Sequence, residues 1–406
     1  MKNTNEIRQF ALSNKDVLLP YFYKNKRKVP ENTKDFQYHE VNALTFLSIQ
    51  TPVELSKFLS IPIDELEELI NFPKYRHYAI KKKKGGERQV FEPSLRLKKI
   101  QKKLNYFLQA YYLWVKPKQV HGFVINPIYL DKQCNIVENA RPHVGKKHVL
   151  NLDLKDFFPN ITAKQVKQVF TSHFFDLNQQ VANALTLLTT YNGFLPAGAP
   201  TSPVISNFVC DQLDTDLILF AESNGIVYTR YADDLTFSSN NKITPDLVNA
   251  IKNIITQNQF LVNEKKVYQK TSNRKQTVTG ITVNQKVNVD RKLLKKIRAM
   301  LHDLLTNGLD VATKNHFNFS GVFDIKYRQT FINRLEGYIN FVGQVRGTTD
   351  PKYCLWKEQF DDFFYIDAKS EFYEDKANIG FFMGEINDDF NSKMIGFNDD
   401  FDDSPF

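Results

Sequence analysis

Cysteine is scarce in this chain of 406 residues. The three cysteines, Cys134, Cys210 and Cys354, are odd in number and lie far apart. They therefore form neither a disulfide framework nor the paired spacing of a zinc site. We interpret them as reduced, buried side chains.

Long apolar runs are also missing from the sequence. No stretch of about 18 apolar residues could cross a membrane, and the opening residues MKNTNEIRQFALSNKD lack the apolar core of a secretion signal. The hydrophobic fraction of 42% is typical of a globular protein. We therefore expect a cytoplasmic protein with no membrane contact, and its length predicts two or three lobes rather than one core.

Acidic residues are few in most of the chain and concentrated at one end. Residues 360–406 hold 13 acidic residues and three lysines, a net charge of −10. Because the whole chain carries +9, residues 1–359 carry +19. So strong a positive charge favours a polyanionic partner, most often a nucleic acid, although a basic enzyme without such a partner remains an alternative.

The residue patterns predict helices and antiparallel strands in mixed order, hence an α+β fold. Thr51 is a favourable N-cap, with Pro52 at the first helical position. Gly85 and Gly86 predict the turn of a β-hairpin. The loop GFLPAGAPTSP leads into one long helix, and the chain becomes helical and basic after Arg291.

Two adjacent carboxylates, Asp233 and Asp234, interrupt the strand-forming stretch IVYTRYADDLTFSS. If residues 226–231 and 234–239 are antiparallel strands, both carboxylates face one side only where the turn distorts the usual alternation. Asp153 similarly ends the apolar strand VLNLD, and a buried carboxylate is costly unless it serves a ligand. Three such groups suit two divalent cations and in-line phosphoryl transfer, whereas YADD alone is equally consistent with an acidic surface turn.

Together these segments resemble a reverse transcriptase. YADD resembles the palm signature, NLDLKDFFPNI the first catalytic strand, GFLPAGAPTSPVISN the loop between them, and KKKKGGERQVFEPSLRLKKIQ the fingers hairpin, in family order across residues 50–345. The resemblance implies RNA-directed DNA synthesis from dNTPs by a right-hand polymerase fold. The expected parts are a helical region (1–75), fingers and antiparallel-sheet palm (76–285), a helical thumb (286–359) and a flexible acidic tail (360–406).

Three short elements are similar to those of retron reverse transcriptases: NARPH (139–143), VTG (278–280) and VHGFV (120–124). They imply that the enzyme copies a structured non-coding RNA, primed by an RNA 2′-hydroxyl to give branched msDNA, in antiphage defence with a toxin or effector protein. The alternatives are another bacterial defence or abortive-infection reverse transcriptase with protein-primed or untemplated synthesis, and a non-catalytic nucleic-acid scaffold. The segment from Phe123 to Asn139 is long for the family, which indicates an insertion around NPIYLDKQCN.

The resemblance assigns catalysis and metal binding to Asp153, Asp233 and Asp234, with the backbone of Leu154 also facing a metal. Two Mg²⁺ ions are implied, with Mn²⁺ as an alternative ion.

The resemblance also assigns residues to the incoming nucleotide: Arg88, Lys84, Phe158, Ala197 and Gly198. Arg88 and the lysine would reach the triphosphate, and Phe158 would exclude a ribose 2′-hydroxyl. A solvated basic face and a core aromatic are the respective alternatives. The family usually has glutamine where this chain has Ala197, so nucleotide contacts and fidelity are expected to differ here.

Contacts to RNA or to the primer–template are implied for a further set: Tyr231, Asn139, His143, Val278, Thr279, Gly280 and Arg291. For His143 a purely structural role is the alternative.

The acidic segment ends in DFDDSPF, which resembles the acidic tip of bacterial single-stranded-DNA-binding proteins. The resemblance implies docking through Asp402, Asp403, Pro405 and Phe406 onto a host DNA-repair or replication protein, or onto an effector. Masking of the basic cleft and simple solubilising charge are the alternatives.

Overall fold

The computed structural model describes residues 3–23, 31–81, 85–126, 133–317 and 325–369. The chain divides into two compact units, Met1–Val287 and Asn288–Phe406. Several predicted site residues lie outside the described residues: Lys84, Asp402, Asp403, Pro405 and Phe406. Within the described residues, no helix is long and apolar enough to cross a membrane.

The first unit begins with helices, as the sequence predicts. Their bounds are α1 Thr4–Ser13, α2 Lys15–Tyr23, α3 Tyr38–Leu47, α4 Pro52–Leu59 and α5 Ile63–Asn71. The predicted start of α4 is confirmed by a capping box. The Glu54 backbone N–H donates to the Thr51 hydroxyl at 3.1 Å, and the Glu54 carboxylate accepts from the Thr51 N–H at 3.2 Å.

The predicted hairpin follows, with strands β1 Tyr75–Lys81 and β2 Glu87–Pro93 paired antiparallel. Gly85 and Gly86 both have positive φ, as a tight turn requires. Helix α6, Leu95–Val115, comes next and buries one face in the core.

A four-stranded antiparallel sheet forms the centre of the first unit, in the order β4-β5-β3-β6. Its strands are β3 His148–Asp153, β4 Val227–Tyr231, β5 Asp234–Ser239 and β6 Tyr268–Thr271. The helices around it are α7 Ile136–Ala140, α8 Phe157–Asn160, α9 Ala163–Thr171, α10 Gln179–Thr189, α11 Ser202–Val209, α12 Asp211–Ser223 and α13 Pro245–Gln257. This arrangement confirms the predicted α+β fold with an antiparallel palm sheet.

One helix prediction is wrong. The residues after GFLPAGAPTSP form two helices, α11 and α12, because the Cys210 backbone leaves helical geometry with ψ near 1°. Asp211 and Asp214 then lie in the first turn of α12, where carboxylates favour a new helix start.

A small hairpin completes the first unit, with strands β7 Thr277–Val278 and β8 Ile281–Thr282. Thr279 and Gly280 form its turn with φ of 45° and 86°, so the predicted break at Gly280 is confirmed.

The second unit is helical, as predicted for a thumb. It contains α14 Arg291–His316, with a kink at Gly308, then α15 Ile325–Arg346 and α16 Pro351–Lys369. Helix α16 continues across residue 360, where composition had placed the start of the acidic tail. Phe360 is only 2% exposed, so the change in composition at this residue is not a structural boundary.

The three cysteines are free, as predicted. Cys210 is buried, but Cys354 is exposed, so the expectation that all three are buried is wrong. Cys354 lies in the first turn of α16, where its Sγ donates to the Thr348 carbonyl at 3.2 Å.

The predicted insertion around NPIYLDKQCN includes residues 127–132, which lie outside the described residues. Its two flanks are held together. The Asn126 side chain donates to the Cys134 carbonyl at 2.7 Å and accepts from the Cys134 N–H at 2.5 Å.

Candidate active site

The β4–β5 turn brings three aspartates to one end of the sheet. Tyr231 and Asp234 are register partners, so Ala232 and Asp233 alone make the turn. Asp234 is in turn the register partner of Asp153 at the end of β3. Ala232 has a left-handed backbone with φ of 59°, which is the distortion of strand alternation that the sequence predicts.

The end of β3 is tied directly to this turn. The Leu154 N–H donates to the Asp233 carbonyl at 3.0 Å, and the Asn263 N–H donates to the Asp153 carbonyl at 2.8 Å. The backbone of Leu154 is therefore at the site, as the family resemblance implies.

Burial and mutual repulsion shape the charge of these carboxylates. Burial, followed by repulsion from Asp153, raises the pKa of Asp233, although Lys266 and Arg88 oppose the shift. Burial and the charges of Asp233 and Asp153 raise the pKa of Asp234 to about 6. A bound cation or a bound proton would relieve this repulsion.

Sequence reasoning missed two residues of the site, Lys266 and Asn263. Lys266 Nζ lies 2.5 Å from Asp153 Oδ1, and Asn263 Nδ2 donates to Asp153 Oδ2 at 3.1 Å. Partial burial disfavours the charged lysine, but the hydrogen bond to Asp153 raises its pKa overall. The sequence does contain a pattern that could have indicated these residues. The polar NEKK directly follows the apolar FLV, just as Asp153 directly follows VLNL.

The donor set fits divalent cations. Carboxylate oxygens are the ligands that Mg²⁺ prefers, and two of the three carboxylates have a raised pKa that a cation would relieve. Among the described residues, no three His, Cys, Asp or Glu side chains lie close enough together to coordinate one metal ion. Lys266 provides the positive charge beside Asp153 instead, and its side chain is 58% exposed.

The VHGFV element packs against the β4–β5 turn. The His121 N–H donates to the Arg230 carbonyl and the Arg230 N–H to the Gln119 carbonyl, both at 3.0 Å. Gly122 then lies against the turn so closely that an added Cβ would be 2.3 Å from the Ala232 nitrogen. Only glycine fits this position without displacing the turn.

The loop with Ala197 and Gly198 is fixed to strand β2. The Phe91 N–H donates to the Ala197 carbonyl at 2.7 Å. Gly198 has φ of 115°, and a Cβ there would lie 2.8 Å from Val90 Cγ1. The Ser202 hydroxyl donates to the Pro196 carbonyl at 2.6 Å, which closes the loop at its other end.

The other residues predicted to contact nucleotide or primer occupy varied positions. Arg88 is exposed on β2, opposite Ile80. Tyr231 is half-buried at the end of β4, and burial raises its pKa. Arg291 is the first residue of α14, in the second unit.

Asn139 and His143 are fully buried, which favours structural roles for their side chains over direct RNA contact. His143 Nδ1 lies 2.7 Å from Ser238 Oγ, and its Nε2 lies 2.8 Å from Thr229 Oγ1. Burial lowers the pKa of His143 to about 3, so the ring is neutral and bridges β4 and β5.

The NARPH and VTG elements contact each other. Asn139 Nδ2 donates to Thr279 Oγ1 at 3.4 Å, and Thr279 Oγ1 donates to the Ile136 carbonyl at 3.3 Å. Val278 is buried, whereas Gly280 is exposed at the turn. The two retron-like elements therefore form one packed substructure beside β4, in which Thr279 is half-buried and Gly280 is exposed.

Phe158 lies in α8, half-buried beside two other rings. Its centroid is 5.7 Å from that of Phe123 and 5.4 Å from that of Phe157. Asp156, just before the helix, has φ of 46°, which sets the direction in which α8 leaves the site.

Replacing Phe158 by alanine is expected to relax the rejection of ribonucleotides, because the ring that would clash with a 2′-hydroxyl is removed. The measurement is the ratio of kcat/KM for dNTP and rNTP in primer extension. Phe157→Ala is the matched control, since it removes a neighbouring ring that is more deeply buried. Unchanged discrimination in Phe158→Ala would instead assign the ring to the core.

The raised pKa of Asp234 predicts the pH dependence of the metal-free protein. A carboxyl with a raised pKa stabilises the fold fully below its ordinary value of 3.8 and loses that contribution as the pH rises through about 6. The Asp234→Asn variant has no carboxyl to ionise at this position, so it does not lose this contribution to stability as the pH rises. In EDTA, the gain in melting temperature of the variant over the wild type should therefore grow across this pH window. A gain that stays constant with pH would contradict the shift.

A four-stranded antiparallel sheet with three aspartates at one end, one of them in a two-residue strand turn, has the architecture of a polymerase palm. Residues 80–283, half of the chain, match the family described as reverse transcriptase (RNA-dependent DNA polymerase). The chain belongs to this family, and its relatives place it among the retron reverse transcriptases.

Two of these relatives are similar over more than half of this chain. The retron Ec86 reverse transcriptase of Escherichia coli is 35% identical over 260 residues, which cover 62% of this chain and 77% of the relative. The retron Mx65 reverse transcriptase of Myxococcus xanthus is 36% identical over 249 residues, which cover 56% of each chain.

Among solved structures, telomerase from Candida albicans in complex with a fragment of telomeric RNA aligns with a TM-score of 0.42 and 10% identity. The alignment covers 75% of this chain and 65% of the telomerase chain, and the likeness is too distant to support conclusions about the site.

Proposed function

We propose that this reverse transcriptase copies a structured RNA into DNA at Asp153, Asp233 and Asp234, which together hold two Mg²⁺ ions. The observation that carries the proposal is the register of Asp153 with Asp234, with Asp233 in the adjoining turn. Bound there, the ions would lower the pKa of the attacking hydroxyl and stabilise the pyrophosphate leaving group.

The surrounding side chains then have separate tasks. Arg88 lies exposed on the fingers hairpin, and its positive charge acts to lower the pKa of Asp233. Its guanidinium would bind the triphosphate. The loop that is fixed to β2 through Ala197 bounds the nucleotide pocket. Phe158 selects the sugar, and Tyr231 packs beside the primer end.

The partner RNA is proposed on charge as well as on family. Residues 1–359 carry a net charge of +19. Helix α14 begins with a dense set of cations, Arg291, Lys292, Lys295, Lys296 and Arg298. Such a surface favours contact with the phosphate backbone of a folded RNA, where shape rather than base sequence is recognised. The β7–β8 turn, where Gly280 is exposed, adds a second place of contact.

We further propose self-priming from an RNA 2′-hydroxyl, a branched RNA–DNA product and a role in antiphage defence, supported by the similarity to retron reverse transcriptases. Protein-primed or untemplated synthesis, as in other defence reverse transcriptases, is the competing function. Binding of an effector, repair or replication protein by the acidic segment 360–406 stays a prediction.

The test is to purify the protein from cells and sequence the nucleic acid bound to it. A DNA joined to RNA through a 2′–5′ linkage, released by a debranching enzyme, is the expected product. The Asp233→Asn, Asp234→Asn double variant should retain the RNA without the DNA. A homopolymer, or DNA linked to protein, would overturn the retron proposal in favour of the competing function.

A further inference from the structure

Arg230 is a fully buried arginine three residues before Asp233. It lies on β4 and forms a bidentate ion pair with Asp214 of α12, which is buried as well. Its Nε donates to Asp214 Oδ1 at 2.8 Å and its Nη2 to Asp214 Oδ2 at 2.6 Å. None of the polymerase motifs of the sequence includes this pair.

The remaining nitrogen of Arg230 reaches the catalytic turn. Nη1 donates to the Ala232 carbonyl at 3.1 Å and to Asn207 Oδ1 at 3.0 Å. Ala232 is the left-handed residue that separates the two strands and precedes Asp233. The guanidinium therefore joins the turn to two helices, α11 through Asn207 and α12 through Asp214.

Asn207 extends the same network to the outer side of the turn. Its Nδ2 donates to the Gly122 carbonyl at 3.0 Å. Gly122 is the residue that lies against Ala232 so closely that no Cβ fits. The turn is thus held by Arg230 on one side and by Gly122 on the other, and the Asn207 side chain is hydrogen-bonded to both.

Stability alone is a poor reason for a buried ion pair. The cost of desolvating two charges commonly equals or exceeds their attraction, so an apolar pair of similar volume would stabilise the core as well or better. What an apolar pair cannot do is donate to the Ala232 carbonyl while anchored to a second element. A lysine cannot reproduce the set of contacts, because a single nitrogen would have to replace the three that bind Asp214, Asn207 and Ala232.

We propose that Arg230, anchored by Asp214, is a positioning residue that fixes the left-handed Ala232 turn and so sets Asp233 and Asp234 against Asp153. The proposal rests on the metal-binding role proposed above for these aspartates. Arg230 touches neither substrate nor metal, and it acts through the backbone of the turn.

Tyr228 provides a matched control within the same cluster. Its hydroxyl donates to Asp214 Oδ1 at 2.8 Å, and it lies on the same strand two residues before Arg230. Tyr228→Phe removes one hydrogen bond from the same buried carboxylate without touching the turn. A merely structural cluster would respond to Tyr228→Phe and Arg230→Lys in the same way.

The experiment compares Arg230→Lys, Tyr228→Phe and the wild type by Mn²⁺ binding, followed by electron paramagnetic resonance, and by steady-state primer extension. For Arg230→Lys we expect Mn²⁺ affinity and kcat each to fall about tenfold or more, with RNA affinity and the KM for dNTP unchanged. For Tyr228→Phe we expect a lower melting temperature and unchanged Mn²⁺ affinity. Should Arg230→Lys not fold, Asn207→Ala keeps the ion pair and is expected to show the same loss of Mn²⁺ affinity.

The Asp233→Asn, Asp234→Asn double variant separates failure of this proposal from failure of the proposed function. If it loses Mn²⁺ binding while Arg230→Lys and Asn207→Ala bind like the wild type, the positioning role is overturned and the metal role stands. Equal losses in Tyr228→Phe and Arg230→Lys would also overturn the positioning role. If the double variant binds Mn²⁺ like the wild type, the metal role fails and the positioning role with it.

Discussion

Replacing Asp233 and Asp234 together by asparagine should abolish DNA synthesis while leaving RNA binding intact. The amides cannot neutralise divalent cations as carboxylates do, and metal ions supply several kcal/mol of transition-state stabilisation, so we expect a loss of about a thousandfold or more. The measurement is incorporation of labelled dNTP on an RNA template, with RNA affinity determined on the same protein.

A second readout distinguishes lost chemistry from lost structure. Burial and mutual repulsion raise the pKa of both carboxyls, so at neutral pH their charged forms disfavour the folded protein. The double variant should therefore melt at an equal or higher temperature than the wild type in EDTA. Asp361 and Asp362, an exposed adjacent pair in α16, provide the matched control, and their replacement by asparagine should leave synthesis unchanged. DNA synthesis that persists in the Asp233, Asp234 variant would refute the assignment of the site.

Replacing Gly122 by alanine should greatly lower the rate of DNA synthesis, although we assign this residue no contact with substrate. The new methyl group would lie 2.3 Å from the Ala232 nitrogen and 2.8 Å from the Tyr231 carbonyl carbon. Both are backbone atoms, so no change of side-chain rotamer can relieve the clash. The turn must therefore move. A displacement of about 1 Å at a catalytic group costs on the order of a hundredfold in rate, measured as kcat in primer extension.

Gly337→Ala is the matched control for this substitution. Gly337 lies exposed in α15 with nothing near its Cβ position, so alanine there should leave the rate unchanged and raise helix stability by about 0.5–1 kcal/mol. Mn²⁺ binding by Gly122→Ala should weaken together with its rate. A Gly122→Ala protein with wild-type kcat would mean that the turn tolerates displacement.

The sequence predicted the parts of the fold that depend on local chemistry. The N-cap at Thr51, the turn at Gly85 and Gly86 and the strands on both sides of YADD follow from neighbouring residues and alternation. Asp153 was predictable because a carboxylate that ends an apolar strand is costly to bury unless it binds a ligand. The helix break at Cys210 was not predictable, since no glycine or proline marks it.

Features that depend on long-range packing escaped prediction. Lys266 reaches Asp153 across 113 positions of sequence. The polar NEKK after the apolar FLV marks the end of an apolar run, but it does not show that this end meets Asp153. Similarity of NARPH and VTG to retron elements indicated the subfamily correctly but suggested that Asn139 and His143 face RNA. Burial of both residues appears only once α7 packs on β4 and on the β7–β8 hairpin. A motif therefore identifies relatives more readily than it reveals which way its side chains point.

The β4–β5 hairpin lies at the edge of the sheet, because β4 is the last strand in the order β4-β5-β3-β6. An open margin exposes unpaired backbone groups that can recruit strands from other molecules and promote aggregation. Here the chain from Gln119 to His121 pairs in parallel with Arg230 and covers that margin next to the turn. The segment that packs against the β4–β5 turn therefore also pairs with the edge of β4, and leaves less of that edge open to pairing with another molecule.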